Sequence, residues 1–130
     1  MHYKIRRLKP TESNLYRLLR LESLKEYPTF FASKYEDQVQ LPKMYFEKII
    51  EAESPKAIMF GAFLEDKIIG ICGVTFETKV RPNAGEIIQM YVKRAYQGKK
   101  IGMLLIEQIK ATVHSLNTIE YPALSRKSTR

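Results

Sequence analysis

The chain has 130 residues, a hydrophobic fraction of 45% and a formal net charge of +8 at pH 7, which points to one domain with enough apolar material for a core. One cysteine and two histidines exclude an internal disulfide and a zinc site of the usual ligand count, so no metal is expected and a reducing cytoplasm is the expected compartment. The N-terminal MHYKIRRLKP has no apolar signal core and no uncharged run reaches the ~18 residues of a membrane span, so no membrane partner is expected, while the positive charge favours anionic ligands.

Tyr3 to Leu8 is short, β-compatible and charged, which suits an edge strand. Pro10 breaks the run, and Thr11 is placed to cap a helix with Glu12 in its first turn. That helix reaches about Glu26, with Leu15, Leu18, Leu19, Leu21 and Leu24 building its apolar face. Tyr27-Pro28 ends it, because a residue before proline is pushed out of the α region. The following TFFASKYEDQ reads as a loop that Phe30 and Phe31 pin to the core. A second helix is expected from near Pro42, burying Tyr45, Phe46, Ile49 and Ile50 and stopping at Glu53-Ser54-Pro55.

From Ala57 to Phe76 the pattern becomes two apolar runs around the turn Glu65-Asp66-Lys67, a hairpin. Both faces of each run are apolar, which calls for helices above and below the sheet. Gly70 and Gly73 mark a bulge or a close approach, and Cys72 between them reads as a small core residue. KVRPNAG, residues 79 to 85, is a loop of turn residues. Glu86 to Val92 returns to β, and Ile101, Leu105, Ile109 and Val113 line a helix reaching about Ser115, which Asn117 can end. The remaining TIEYPALSRKSTR holds half a strand. The expected organisation is one domain over residues 1–124 and a disordered basic tail over 125–130.

The stretch from Gly85 to Lys110 therefore reads as strand, basic turn and helix, an arrangement that presents backbone N–H groups and a helix N-terminus to an anion. Within it, Gln97-Gly98-Lys99-Lys100-Ile101-Gly102 resembles the acetyl-CoA loop of the GNAT N-acetyltransferases, whose pattern is Gln or Arg, any two residues, Gly, any residue, then Gly or Ala. The first and last positions match; Lys100 stands where the family has glycine. The strand ending Gln89-Met90-Tyr91-Val92, the helix opening Ile101-Gly102-Met103 and the upstream order of edge strand, two helices and hairpin also resemble the family. The resemblance implies an α/β fold: a mixed, mostly antiparallel central sheet with helices on both faces.

It also implies acetyl-CoA as cosubstrate and transfer of its acetyl group to a primary amine of a small molecule or protein. Backbone N–H groups from Gly98 through Met103, helped by Lys99 and Lys100, would surround the diphosphate, and Met90, Tyr91 and Val92 would pair with the pantetheine arm as an added strand. Lys100 is expected to have ordinary helical dihedrals, at no cost. By resemblance, Glu86 is the candidate base, acting directly or through water, and the Val92 N–H is the candidate for polarising the thioester carbonyl. The family's thiolate-protonating tyrosine lies beyond its fifth strand; Tyr91, Tyr96 and Tyr121 do not match that position.

The family continues past the equivalent of Leu124, so the chain reads as C-terminally truncated, and the strand edge this leaves would favour a homodimer. The alternative reading is a non-catalytic remnant that binds CoA or serves as an interaction module. Basic clusters at Lys4, Arg6, Arg7, Lys9 and at Arg126, Lys127, Arg130 allow a nucleic-acid binder, but they sit at the termini without a recognised module, so no nucleic acid is expected.

Overall fold

The computed structural model describes residues 2–28, 33–76, 85–116 and 124–126. Its core is the hairpin of β2 (Ala57–Leu64) and β3 (Lys67–Thr75), joined by the two-residue turn Glu65-Asp66. β1 (Tyr3–Arg7) pairs antiparallel with β2 at the edge, as its charge anticipates. β4 (Gly85–Val92) pairs antiparallel with β3, and β5 (Leu124–Arg126) pairs parallel with β4, so the sheet runs β1-β2-β3-β4-β5 and is mixed.

Nearly every residue of β2 and β3 is buried, because the sheet is covered on both sides. On one face, Ile58, Phe60, Ala62, Ile69, Cys72, Val74 and Ile87 meet Ile101, Leu105, Ile109 and Val113 of α4 (Ile101–Leu116). The four-residue spacing of that helix is thus its contact stripe. Burying four aliphatic side chains, at roughly 2 kcal/mol each, docks α4 without help from its first-turn N–H groups. On the other face, Met59, Phe63, Ile71 and Tyr91 meet Tyr16 and Leu19 of α1 (Ser13–Glu26) and Phe46, Ile49 and Ile50 of α3 (Tyr45–Ala52). Gly73 sits where β3 and β4 change register, and a Cβ there would come within 2.9 Å of Met59 Cε and 3.3 Å of Phe46 Cζ.

Several local expectations change. Thr11 lies inside a 3-10 turn, Pro10–Glu12, and the Glu12 carboxylate accepts the Lys9 N–H at 2.8 Å. Its carboxylate has the reach to double back on the turn, which the threonine hydroxyl does not use. Leu18 is exposed, because the buried stripe of α1 runs instead through Tyr16, Leu19, Arg20, Ser23 and Leu24. Tyr45 is exposed at the first turn of α3, which starts after Met44 with its N–H on Glu47 (2.8 Å). The stretch read as loop contains a one-turn helix, α2 (Tyr35–Gln38). Arg17 ties down the chain just after it, donating to the Val39 carbonyl at 3.1 Å and the Leu41 carbonyl at 2.8 Å while pairing with Glu47 of α3 at 2.6 Å. Ser125 and Arg126, expected in the tail, belong to β5. Phe30, Phe31, the loop 79–84, Asn117, Tyr121 and residues 127–130 lie outside the described residues.

Candidate active site

β4 pairs with β5 only from Gly85 to Ile87. Among the described residues, no strand pairs that edge from Ile88 to Val92. A bulge opposite Cys72 falls in this segment: the register steps from Ile71↔Tyr91 to Gly73↔Ile88, and Gln89 takes a positive φ of 54°. The Tyr16 hydroxyl donates to Gln89 Oε1 at 2.7 Å, holding the bulge from the α1 side. Beyond it, the Lys93 N–H donates to the Ile69 carbonyl at 2.9 Å, in register with the Ile71↔Tyr91 pair. Alternation along an antiparallel ladder then turns the Tyr91 backbone groups toward β3 and those of Met90 and Val92 toward the open edge.

The chain leaves β4 through a 3-10 turn, Arg94–Tyr96, and enters the loop that leads to α4. Gly98 has φ 81° and a Cβ there would meet nothing within 4 Å, so backbone conformation and not packing favours glycine. Lys100 also has a positive φ, 64°. The expectation of ordinary helical dihedrals is therefore wrong: the loop keeps the left-handed turn that the pattern's glycine would serve, and lysine there costs on the order of 1 kcal/mol. The first backbone bond of α4 runs from the Leu104 N–H to the Lys100 carbonyl at 3.1 Å. Gln97 (φ −69°, ψ 150°) and Gly98 (φ 81°) form a turn that folds the Lys99 N–H back on the chain, and among the described residues no backbone carbonyl takes the N–H groups of Gly98, Lys100, Ile101, Gly102 or Met103. These open donors, the helix dipole and two exposed lysines fit a diphosphate. The Ile101 side chain is buried in the α4 face while Met103 is 59% exposed, so Ile101 has only its N–H to offer a ligand.

A polar network ties the end of β4 to α1. The Tyr91 hydroxyl lies 2.6 Å from Glu22 Oε2 and 2.8 Å from Glu26 Oε2, and burial, reinforced by both carboxylates, pushes its pKa up. Lys93 Nζ approaches Glu22 at 3.5 Å and Arg94 Nε approaches Glu26 at 3.2 Å. Burial opposes ionisation of Glu26, but hydrogen bonds from Tyr91, Tyr27 and Arg94 outweigh it and hold its carboxyl below the ordinary range. The Gln97 amide donates to the Val92 carbonyl at 2.9 Å and to the Tyr27 hydroxyl at 3.2 Å. The partners from α1 and its end are not readable from sequence spacing, since the contacts of Tyr91, Lys93, Arg94 and Gln97 with Glu22, Glu26 and Tyr27 bridge about 65 to 70 residues. The only local signal is the i, i+4 pair Glu22 and Glu26, with Lys93-Arg94 as the nearest complementary charges.

Glu86 is half-buried in the interior of the sheet, opposite Thr75 on β3 and Ser125 on β5. It lies six residues from Val92 and four from Met90, about 20 and 13 Å along extended strand before the bulge shortens the path. A base works within hydrogen-bond reach of its proton or through one water. An amine served by Glu86 would therefore have to sit along β4 near Glu86, with one water at most between them. Among the described residues, no group of three His, Cys, Asp or Glu side chains could hold a metal ion, and no helix is long and apolar enough to cross a membrane.

An acyl-CoA N-acyltransferase fold is what this topology and loop define. The sequence matches the profile of the acetyltransferase (GNAT) family over residues 15–121, and the chain belongs to that family. Among solved structures it is similar to an aminoglycoside acetyltransferase from an uncultured soil metagenomic sample, with 18% identity, a TM-score of 0.72 and coverage of 98% of this chain and 80% of that one. It is also similar to the PaiA N-acetyltransferase of Thermoplasma acidophilum in complex with coenzyme A, with 20% identity, a TM-score of 0.67 and coverage of 89% and 74%. A third is a predicted acetyltransferase with acetyl-CoA from Clostridium acetobutylicum, with 15% identity, a TM-score of 0.68 and coverage of 95% and 80%. No curated protein matches by sequence.

Proposed function

We propose that the chain is an N-acetyltransferase that moves the acetyl group of acetyl-CoA to a primary amine of a small molecule or protein. The observation that carries this reading is the row of open N–H groups from Lys100 to Met103, with that of Gly98, beside a β4 edge that no described strand pairs beyond Ile87. Bound acetyl-CoA would supply the activated acyl group. The loop N–H groups, with Lys99 and Lys100, hold its diphosphate, and Met90 offers its N–H and carbonyl, and Val92 its N–H, to the amides of its pantetheine arm. Either N–H can polarise a carbonyl laid along the edge. Glu86 draws the proton from the attacking amine through water.

Calorimetric titration with acetyl-CoA tests the binding half: saturable binding is expected, and charge reversal at Lys99 and Lys100 weakens it at least tenfold. A thiol-release assay across an amine panel then tests turnover. Absence of acetyl-CoA binding overturns the proposal. Binding without release on any amine leaves a CoA-binding module and overturns the catalytic half.

A further inference from the structure

The diphosphate loop does not hang from β4 by its backbone alone. The Gln97 amide reaches back to the Val92 carbonyl (2.9 Å) and sideways to the Tyr27 hydroxyl (3.2 Å), at the end of α1. A carbonyl can only accept, so the Gln97 nitrogen faces Val92 and also donates to Tyr27. The Tyr27 ring stands edge-on to Tyr91 with centroids 6.3 Å apart. One chain of bonds thus runs from the Tyr27 hydroxyl through the Gln97 amide to the last β4 carbonyl.

We infer that Tyr27 is a positioning residue for the cofactor loop: through Gln97 it fixes where the loop leaves β4, and so aligns the N–H groups of Gly98 and of Lys100 to Met103 with the open strand edge. The mechanics follow from what is rigid and what is not. α1 and β4 are packed into the same core through Tyr16, Leu19 and Tyr91. The segment from Gln97 to Lys100 is exposed and carries two positive φ values, and its backbone bonds are short-range ones, among them those from the Gln97 N–H to the Arg94 carbonyl (3.2 Å) and from the Leu104 N–H to the Lys100 carbonyl (3.1 Å). The Gln97 side chain is the described group that links this segment to both rigid elements. Its hydroxyl partner comes from a helix some 70 residues away, so a loop motif read alone does not contain it. The contact also gives the first position of the motif a reason to be a long side chain with N–H donors, since glutamine or arginine can both reach a strand-end carbonyl.

This inference rests on the acetyl-CoA reading, and the experiment keeps the two apart by using two readouts. Tyr27→Phe keeps the ring against Tyr91 and deletes only the hydroxyl. One arm measures acetyl-CoA affinity by calorimetry; the other measures the rate of limited trypsin cleavage after Lys99 and Lys100 in the ligand-free protein. Tyr27→Phe is expected to weaken affinity about three- to tenfold, the range for losing one exposed hydrogen bond, and to speed cleavage, with an unchanged melting temperature. Gln97→Ala should do at least as much, Gln97→Arg should restore tight binding, and the double variant should be no worse than Gln97→Ala alone because both act through one chain of bonds. Unchanged affinity and cleavage in Tyr27→Phe overturns the inference, as does a double variant whose two effects multiply. If the unmodified chain does not bind acetyl-CoA, the functional reading fails, and the cleavage arm still decides the role of Tyr27.

Discussion

The β2–β3 hairpin and the Gln97–Gly102 loop sit at opposite extremes of the same small fold. In the hairpin, backbone groups are paired from Ala57↔Thr75 to Leu64↔Lys67 and almost every side chain is buried. In the loop, side chains are mostly exposed, two residues have positive φ, and a run of N–H groups has no backbone partner among the described residues. The difference shows where a ligand can act on this molecule. A ladder whose donors are all taken has nothing to offer, whereas α4, docked by its apolar stripe, can leave its first turn open without loosening the fold.

The largest effect expected from this contrast is in the hairpin. Ile71 is fully buried between the sheet and the α1–α3 layer, so Ile71→Ala should cost about 2–5 kcal/mol. Urea denaturation should show a lower midpoint with an unchanged slope, and acetyl-CoA affinity measured well below the transition should stay within a factor of two. A large loss of affinity with intact folding would break the separation between scaffold and loop.

Much of this contrast is legible in the sequence, and the exceptions have one cause. Elements with a strong period, the hairpin and the Ile101–Val113 stripe, stand where the pattern puts them, because burial on both faces leaves no other solution. The misjudged positions are those where a polar contact, near or far along the chain, decides in place of apolar periodicity. Arg20 is buried where a leucine face was expected, Thr11 loses the cap to Glu12, and Tyr45 is displaced from the core by a start set at Met44. At the candidate site, the glycine spacing identifies the loop but not its backbone sign at Lys100, and periodicity cannot show that Tyr91 meets Glu22 and Glu26 or that Gln97 meets Tyr27.

A middle-sized effect lies at the β1 edge, where polar contacts serve structure and not a ligand. Glu12 receives a two-pronged bond from Arg6, both at 2.8 Å, under the stacking of that guanidinium on Phe63 at 4.2 Å. The Arg6 hydrogen bond, more than burial opposes it, lowers the Glu12 carboxyl from 4.5 to about 2. A depressed carboxyl stabilises the fold above its unfolded value and loses that contribution as pH falls through the folded one. Stability should therefore drop between about pH 4.5 and 2, by about 1 kcal/mol once solvent screening of this partly exposed pair is counted. Glu12→Gln should remove that part of the acid slope when both proteins are titrated by chemical denaturation, and a slope that survives the substitution would assign it to other carboxylates.

The smallest effect bears most directly on the loop. If Lys100 is strained by its φ of 64°, Lys100→Gly should stabilise the protein by about 0.5–1 kcal/mol, the left-handed penalty less the extra freedom glycine has when unfolded. Lys100→Ala is the control that gives the number meaning, because alanine removes the charge but keeps the Cβ and so the penalty. Strain predicts that glycine raises the denaturation midpoint and alanine does not. Equal stabilisation by both would mean that the relief comes from separating two adjacent positive charges, Lys99 and Lys100, in the ligand-free loop. That outcome would move the cost from backbone to electrostatics, and would predict that diphosphate binding itself removes it by neutralising the pair, whereas backbone strain would persist with the ligand in place.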